Sequence, residues 1–125
     1  MKTIINTEKA PAAIGPYSQA IKANGLLFIA GQLPVNPADG TMPTAVEEQA
    51  KQSLTNVVAI LSAAGLTADA VIKTTVFLKN MNDFAAVNAV YAEFFTKDFP
   101  ARACVEVARL PKDALVEVEA IAVCK

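Results

Sequence analysis

The sequence predicts an α+β domain, a β-sheet with two helices packed on one face, in the order βββαβαββ. Three observations carry this. Asn24-Gly25 separates two apolar runs, the strongest short-range signal of a two-residue hairpin. Val46, Ala50, Leu54, Val57, Val58 and Leu61 recur at helical spacing. The runs at 71–79 and 115–123 alternate with the two-residue period of strands. At 125 residues the chain can build one domain with its own core, and no linker or low-complexity stretch divides residues 1–125.

Each element has a local reason. Ile4 and Ile5 mark a short first strand, and Pro11 to Pro16 is a loop punctuated by Gly15. Tyr17 to Ala23 and Leu26 to Ala30 are the hairpin strands, ended by Gly31-Gln32-Leu33-Pro34, with a turn-rich loop from Pro34 to Pro43. Thr44 and Glu47 have the spacing of a capping box that opens the first helix. Gly65 suits the left-handed position just past its end. In strand 71–79 the even positions Ile72, Thr74, Val76 and Leu78 form one mostly apolar face. Asn82 is the expected cap of a second helix carrying Phe84, Val87, Tyr91, Phe94 and Phe95 along one side, and Pro100 closes that segment. Arg102–Val107 and Leu115–Val123 are the last strands.

Two helices cover one face of such a sheet. Val116, Val118, Ala120 and Ala122 are small and apolar enough to pack beneath them. The faces bearing Arg102, Cys104 and Glu106, and Glu117 and Glu119, are expected on the side the helices leave free. That side is too apolar for a purely solvated surface, and copies of the same chain are expected to close it.

Composition narrows the function. Charged residues are 18% and the net charge is −1, with no basic run, so nucleic acid is not an expected partner. No apolar stretch approaches the roughly 18 residues of a membrane helix, and Met1 to Asn6 has no signal-peptide core. Two dispersed cysteines, Cys104 and Cys124, make no disulfide framework, and a cytosolic protein is expected. The chain has no histidine, hence no Ser-His-Asp triad, Cys-His pair or HExxH zinc site. With no Gly-rich phosphate loop either, no nucleotide or metal cofactor is expected.

Both arginines lie in the stretch Pro100-Ala101-Arg102-Ala103-Cys104-Val105-Glu106-Val107-Ala108-Arg109-Leu110-Pro111. Arg102 stands where a loop enters a strand, and its planar fork can hold a carboxylate with two parallel hydrogen bonds. A structural ion pair with a strand carboxylate is the competing reading, and the residues alone leave both open.

Gly15-Pro16-Tyr17-Ser18-Gln19-Ala20, Ala30-Gly31-Gln32-Leu33-Pro34, Val71 to Leu78 and the Pro100–Pro111 stretch followed by Val116-Glu117-Val118 resemble the Rid (YjgF/YER057c) family, along essentially the whole chain. The resemblance is to its RidA-type enamine/imine deaminases. It implies a chorismate mutase-like mixed sheet, a homotrimer with sites between subunits, and no cofactor. The implied reaction is hydrolysis of 2-iminobutanoate and 2-iminopropanoate, the latter from 2-aminoacrylate, to 2-oxo acids and ammonia. Val118 stands where Ile or Met is usual, Ala30 where Ser is frequent, and the Thr96–Phe99 segment is short.

Such a hydrolysis needs a carboxylate anchor, a placed water and a proton carrier. The resemblance assigns the anchor to Arg102 and the proton carrier to Glu117. Glu119, two residues on and on the same face, is the internal control; the family position alone separates the two. Tyr17, approached through Gly15 and Pro16, Gly15 itself, and Gly31, whose missing side chain lets a ligand near the backbone, are expected to bind substrate. Cys104 is expected as pocket wall rather than nucleophile, since no His or Lys adjoins it. Phe84 and Asn88, one helical turn apart, are expected to wall the cleft. The alternative is a trimeric regulatory protein that binds carboxylates such as 2-oxo acids without significant turnover.

Overall fold

In the computed structural model, which describes residues 1–124, the elements form in the predicted order. They are β1 (Thr3–Ile5), β2 (Ala20–Ala23), β3 (Leu26–Gln32), α1 (Val46–Ala63), β4 (Val71–Leu78), α2 (Phe84–Phe94), β5 (Ala101–Glu106) and β6 (Val116–Val123). The strands make one sheet in the order β1-β2-β3-β6-β4-β5. Only β4 and β5 run parallel. Helix α2 is the crossover between them, the connection a parallel pair requires. The sheet is therefore mixed. Among the described residues no helix is long and apolar enough to cross a membrane.

The β2–β3 turn carries positive φ at both Asn24 (52°) and Gly25 (75°), the backbone of a type I′ hairpin turn. Helix α1 ends in a Schellman motif: Gly65 is at φ 78°, its N–H donates to Ser62 O, and Leu66 N–H donates to Leu61 O. The core lies between the helices and one sheet face. It contains Leu54, Val57, Ile60 and Leu61 from α1, Val87 and Tyr91 from α2, and Leu27, Val76, Leu78, Val116, Val118 and Ala122 from the sheet.

Several local expectations are corrected. Helix α1 begins one residue later than a Thr44 cap requires: Ala45 is the N-cap, without a side-chain bond. Glu47 therefore closes no capping box. Asn80, not Asn82, supplies the capping oxygen, which accepts from Asn82 N–H across a short 3-10 turn before α2. Tyr17 to Gln19 stay outside β2, because Tyr17 N–H bonds back to Gly15 O in a tight turn. A register shift between Val71 and Lys73 buries Val71 and turns Ile72 outward, while Thr74, Val76 and Leu78 keep the predicted buried face.

The largest correction concerns β5. Thr74, Val76 and Leu78 pair with Arg102, Cys104 and Glu106. Residues directly opposite across a ladder share a face. Arg102, Cys104 and Glu106 thus lie on the helix side. Glu117 and Glu119 pair with Phe77 and Thr75 and face the open side, as expected.

Candidate active site in two halves

The predicted site residues gather in two groups on opposite faces of the sheet. On the open side Tyr17, Gly31 and Glu117 line a cleft of about 550 Å³ with Ile14, Leu33 and Lys112. On the helix side Arg102, Asn88, Phe84 and Cys104 cluster beside α2.

The open-side group is built by a break in the ladder. β3 and β6 pair regularly from Leu26↔Val123 to Ile29↔Ala120, then resume at Gln32↔Val118. The extra residue is a β-bulge at Ala30–Gly31, which bends the strand and re-aims what surrounds it. Glu117 folds against the space this opens. A Cβ on Gly31 would stand 2.9 Å from the Glu117 Cδ and 3.3 Å from its Cγ. Burial, reinforced by the charge of Glu119, raises the Glu117 pKa above the ordinary glutamate value. Tyr17 is half exposed, and its ring lies 3.6 Å from where a Gly15 Cβ would stand. Gly15 is thus beside Tyr17 rather than in the cleft wall.

Loops around the cleft are held by buried side-chain amides, which the sequence reading did not single out. Gln19 accepts from Thr7 N–H (2.8 Å) and donates to the carbonyls of Thr7, Ala10 and Pro11. Asn56 donates to the carbonyls of Leu33 and Val35. For Asn56 the available signal was its place in α1, at core-facing spacing with Ser53 and Ile60.

The helix-side group centres on Arg102. Its guanidinium carbon lies 4.8 Å from the centroid of the Tyr91 ring and 5.5 Å from that of Phe84. Its Nη1 donates to Asn88 Oδ1 at 2.7 Å. Tyr91 is itself fixed by a 2.7 Å bond between its hydroxyl and that of Thr74. The one ion pair among the described residues joins Arg109 to Asp113, so Arg102 has no carboxylate partner there. The side chain is stacked, oriented and exposed, as an anion-binding group must be. Phe84, expected in the apolar stripe of α2, is exposed because it serves as one face of this stack. Burial pushes the Cys104 thiol pKa up, and the nearby Arg102 charge only partly opposes this. A raised thiol is a poor nucleophile, in keeping with a pocket-wall role. Cys104 and Cys124 are both free.

The halves are chemically complementary: one offers an anion anchor, the other a carboxyl with raised proton affinity beside an open backbone. Comparison with known proteins gives the arrangement its context. The sequence profile of the family described as Endoribonuclease L-PSP matches residues 7–124. A "RutC family protein" of Haemophilus influenzae is 60% identical, covering 100% of this chain and 99% of that protein. The 2-iminobutanoate/2-iminopropanoate deaminase of Escherichia coli K12 is 57% identical over 98% of both chains. The crystal structure of E. coli TdcF with bound serine superposes with a TM-score of 0.95 at 50% identity, covering 98% of this chain and 99% of that one. By sequence along almost its whole length, and by its mixed sheet with two helices, the chain belongs to the Endoribonuclease L-PSP family, the Rid family.

Proposed function

We propose that this protein is a homotrimeric hydrolytic deaminase of small imino acids, 2-iminobutanoate and 2-iminopropanoate, the latter formed from 2-aminoacrylate, yielding 2-oxo acids and ammonia. The observation that carries the reading is the division of the site. Arg102 and Glu117 lie on opposite faces of one sheet, so a small substrate meets both only where two copies abut. One copy then supplies Arg102, Asn88, Phe84 and Cys104, and its neighbour Tyr17, Gly31 and Glu117. The identity to the E. coli deaminase supports the substrate class. A head-to-tail contact of this kind forms a closed ring when the rotation between neighbours closes, which for three copies is the proposed trimer.

The chemistry follows from the groups. The Arg102 fork holds the substrate carboxylate and places the neighbouring C=N carbon over Gly31. Glu117 takes a proton from a water as the water oxygen bonds to that carbon, and passes this proton to the imine nitrogen, giving a carbinolamine. Glu117 then takes the hydroxyl proton of the carbinolamine and delivers it to the amino nitrogen as the C=O forms and the C–N bond breaks, and ammonia and the 2-oxo acid leave. Every atom of the water ends in the products, and no redox partner is needed. Positioned acid–base help of this kind contributes about 100- to 10,000-fold. That suffices for imines, which already hydrolyse in water.

The serine bound to TdcF gives weight to a second reading, a carboxylate-binding protein without significant turnover. One experiment separates the two. A dehydratase acting on L-threonine or L-serine generates the enamine in situ, and 2-oxo acid release is followed with wild type, Arg102→Ala and Glu117→Ala. Acceleration by wild type that both variants abolish supports the deaminase. A folded wild type that does not accelerate, yet binds 2-oxo acids through Arg102, supports the second reading.

A further inference from the structure

We propose that Gln49 of α1, remote from the reacting atoms, is the positioning residue for Glu117. The inference rests on the reaction proposed above for the role of Glu117, but its structural part stands independently.

The last β3–β6 pair is Gln32↔Val118. Glu117 lies one residue beyond it, paired with Phe77 of β4 and with no ladder partner on the β3 side. Past this point the two chains diverge, and the cleft opens between them. Two amides on one helix hold the diverging segments. Asn56 Nδ2 donates to Leu33 O (3.0 Å) and Val35 O (2.9 Å), while its Oδ1 accepts from Gln52. Gln49 Oε1 accepts from Leu115 N–H (2.8 Å), and its Nε2 donates to Pro43 O (2.8 Å). Seven residues apart, the two anchors are separated by about 10 Å along the helix axis. Asn56 fixes one bank of the cleft, and Gln49 fixes the entry of β6 two residues before Glu117.

The chemistry of the side chain is specific to the task. The amide offers an acceptor to Leu115 and a donor to Pro43 at once, from two separate atoms. Gln49 is 5% exposed and Asn56 fully buried, and unbonded polar groups at such depth are costly. The loop that Gln49 terminates also needs restraint. Lys112 and Asp113 are consecutive non-glycine residues at positive φ (58° and 55°), and the Arg109–Asp113 pair beside them is exposed. The Leu115 carbonyl accepts from Lys79 N–H, so β4 holds one side of this entry point and Gln49 the other.

The test uses the full-length protein, with each variant assayed well below its own unfolding temperature. Gln49→Met keeps length and volume but loses both bonds. Expected are a fall in kcat of at least about tenfold with KM changed less than about threefold, since a misplaced catalytic group costs rate rather than binding. The Glu117 side-chain carboxyl, followed by ¹³C NMR, is expected to titrate closer to the ordinary glutamate range. Ser53→Ala is the control. Ser53 is buried on the same helix face between the two anchors, and its hydroxyl has no hydrogen-bond partner. It is expected to change neither reading. Leu115→Pro removes the same N–H from the other side and leaves α1 intact. The preceding Ala114, at ψ 151°, already has the conformation a following proline requires. It is expected to reproduce the Gln49→Met result, and it carries the test where Gln49→Met does not fold. An unchanged Glu117 midpoint in a folded Gln49→Met or Leu115→Pro protein overturns the proposal. Absence of turnover in wild type would instead defeat the deaminase reading, and the Glu117 midpoint would still decide the positioning role.

Discussion

Gly31 has no side chain where Glu117 lies, and that contact can be tested directly. Gly31→Ala is expected to lower kcat at least about tenfold, because the new methyl must displace the carboxyl lying 2.9 Å from its position. The check is a circular dichroism spectrum and oligomeric state like wild type alongside the lost rate. Glu119 offers a gentler probe. Its negative charge helps raise the Glu117 pKa, so Glu119→Gln lowers it. If ionised Glu117 is the base, the acid limb of kcat/KM rises as Glu117 loses its proton, and Glu119→Gln moves that limb to lower pH. A limb that moves upward or stays would contradict this coupling. At the proposed anchor, Arg102→Lys keeps the charge but loses the fork that bonds Asn88 and stacks on Tyr91 and Phe84. A rise of about tenfold or more in KM is expected in the coupled assay. Arg102, Glu117, Tyr17 and Gly31 were all legible in the sequence as candidates. Their division between two faces was not. Alternation tells which residues of one strand share a face, but not how that strand is phased against its neighbour. Arg102 joins the helix side because its ladder partner is the buried Thr74. Its charge is tolerated there because β5 is the edge strand and its head reaches solvent beside α2.

At the scale of elements, the signals that survived rest on backbone geometry or on long apolar periods. Asn24-Gly25 and Gly65 adopt the left-handed conformations their residue types favour, and α1 buries the stripe its spacing announced. Leu54, 1% exposed at the centre of that stripe, is expected to cost about 2–5 kcal/mol when cut to alanine. The loss should appear as a lowered unfolding temperature at fixed protein concentration. The signals that failed were caps. Thr44 and Asn82 each have a suitable side chain, but each helix takes its N-cap one residue further on, at Ala45 and Asp83. Gln49 illustrates the same limit, since its bond to Leu115 spans 66 residues and no local window contains it. The bulge at Ala30–Gly31 was visible only as a glycine at a strand end. Its consequence for Glu117 depends on β6, which arrives almost ninety positions later in the chain.

For the whole molecule, the uncovered sheet face carries the argument. One cross-strand row on it reads Ile4, Ile21, Phe28, Ile121, Lys73, Ala101, largely apolar. Phe28, Val105 and Val123 are each over 40% exposed in the single chain. Contiguous apolar surface of this kind marks an association site; on the function proposed above, a second copy meets it and brings the two half-sites together. The central claim is that each site takes Arg102 from one copy and Glu117 from another. The most direct test mixes two inactive proteins. Arg102→Ala and Glu117→Ala chains are unfolded together, reassembled in equal amounts, and assayed with the in situ enamine. Random assembly into rings restores an intact Arg102–Glu117 pair at about one site in four, so about a quarter of wild-type activity should return. A double-mutant chain reassembled alone should recover none. Reassembled trimers of the mixed chains that stay as inactive as either parent would show that the two residues do not act across a shared interface.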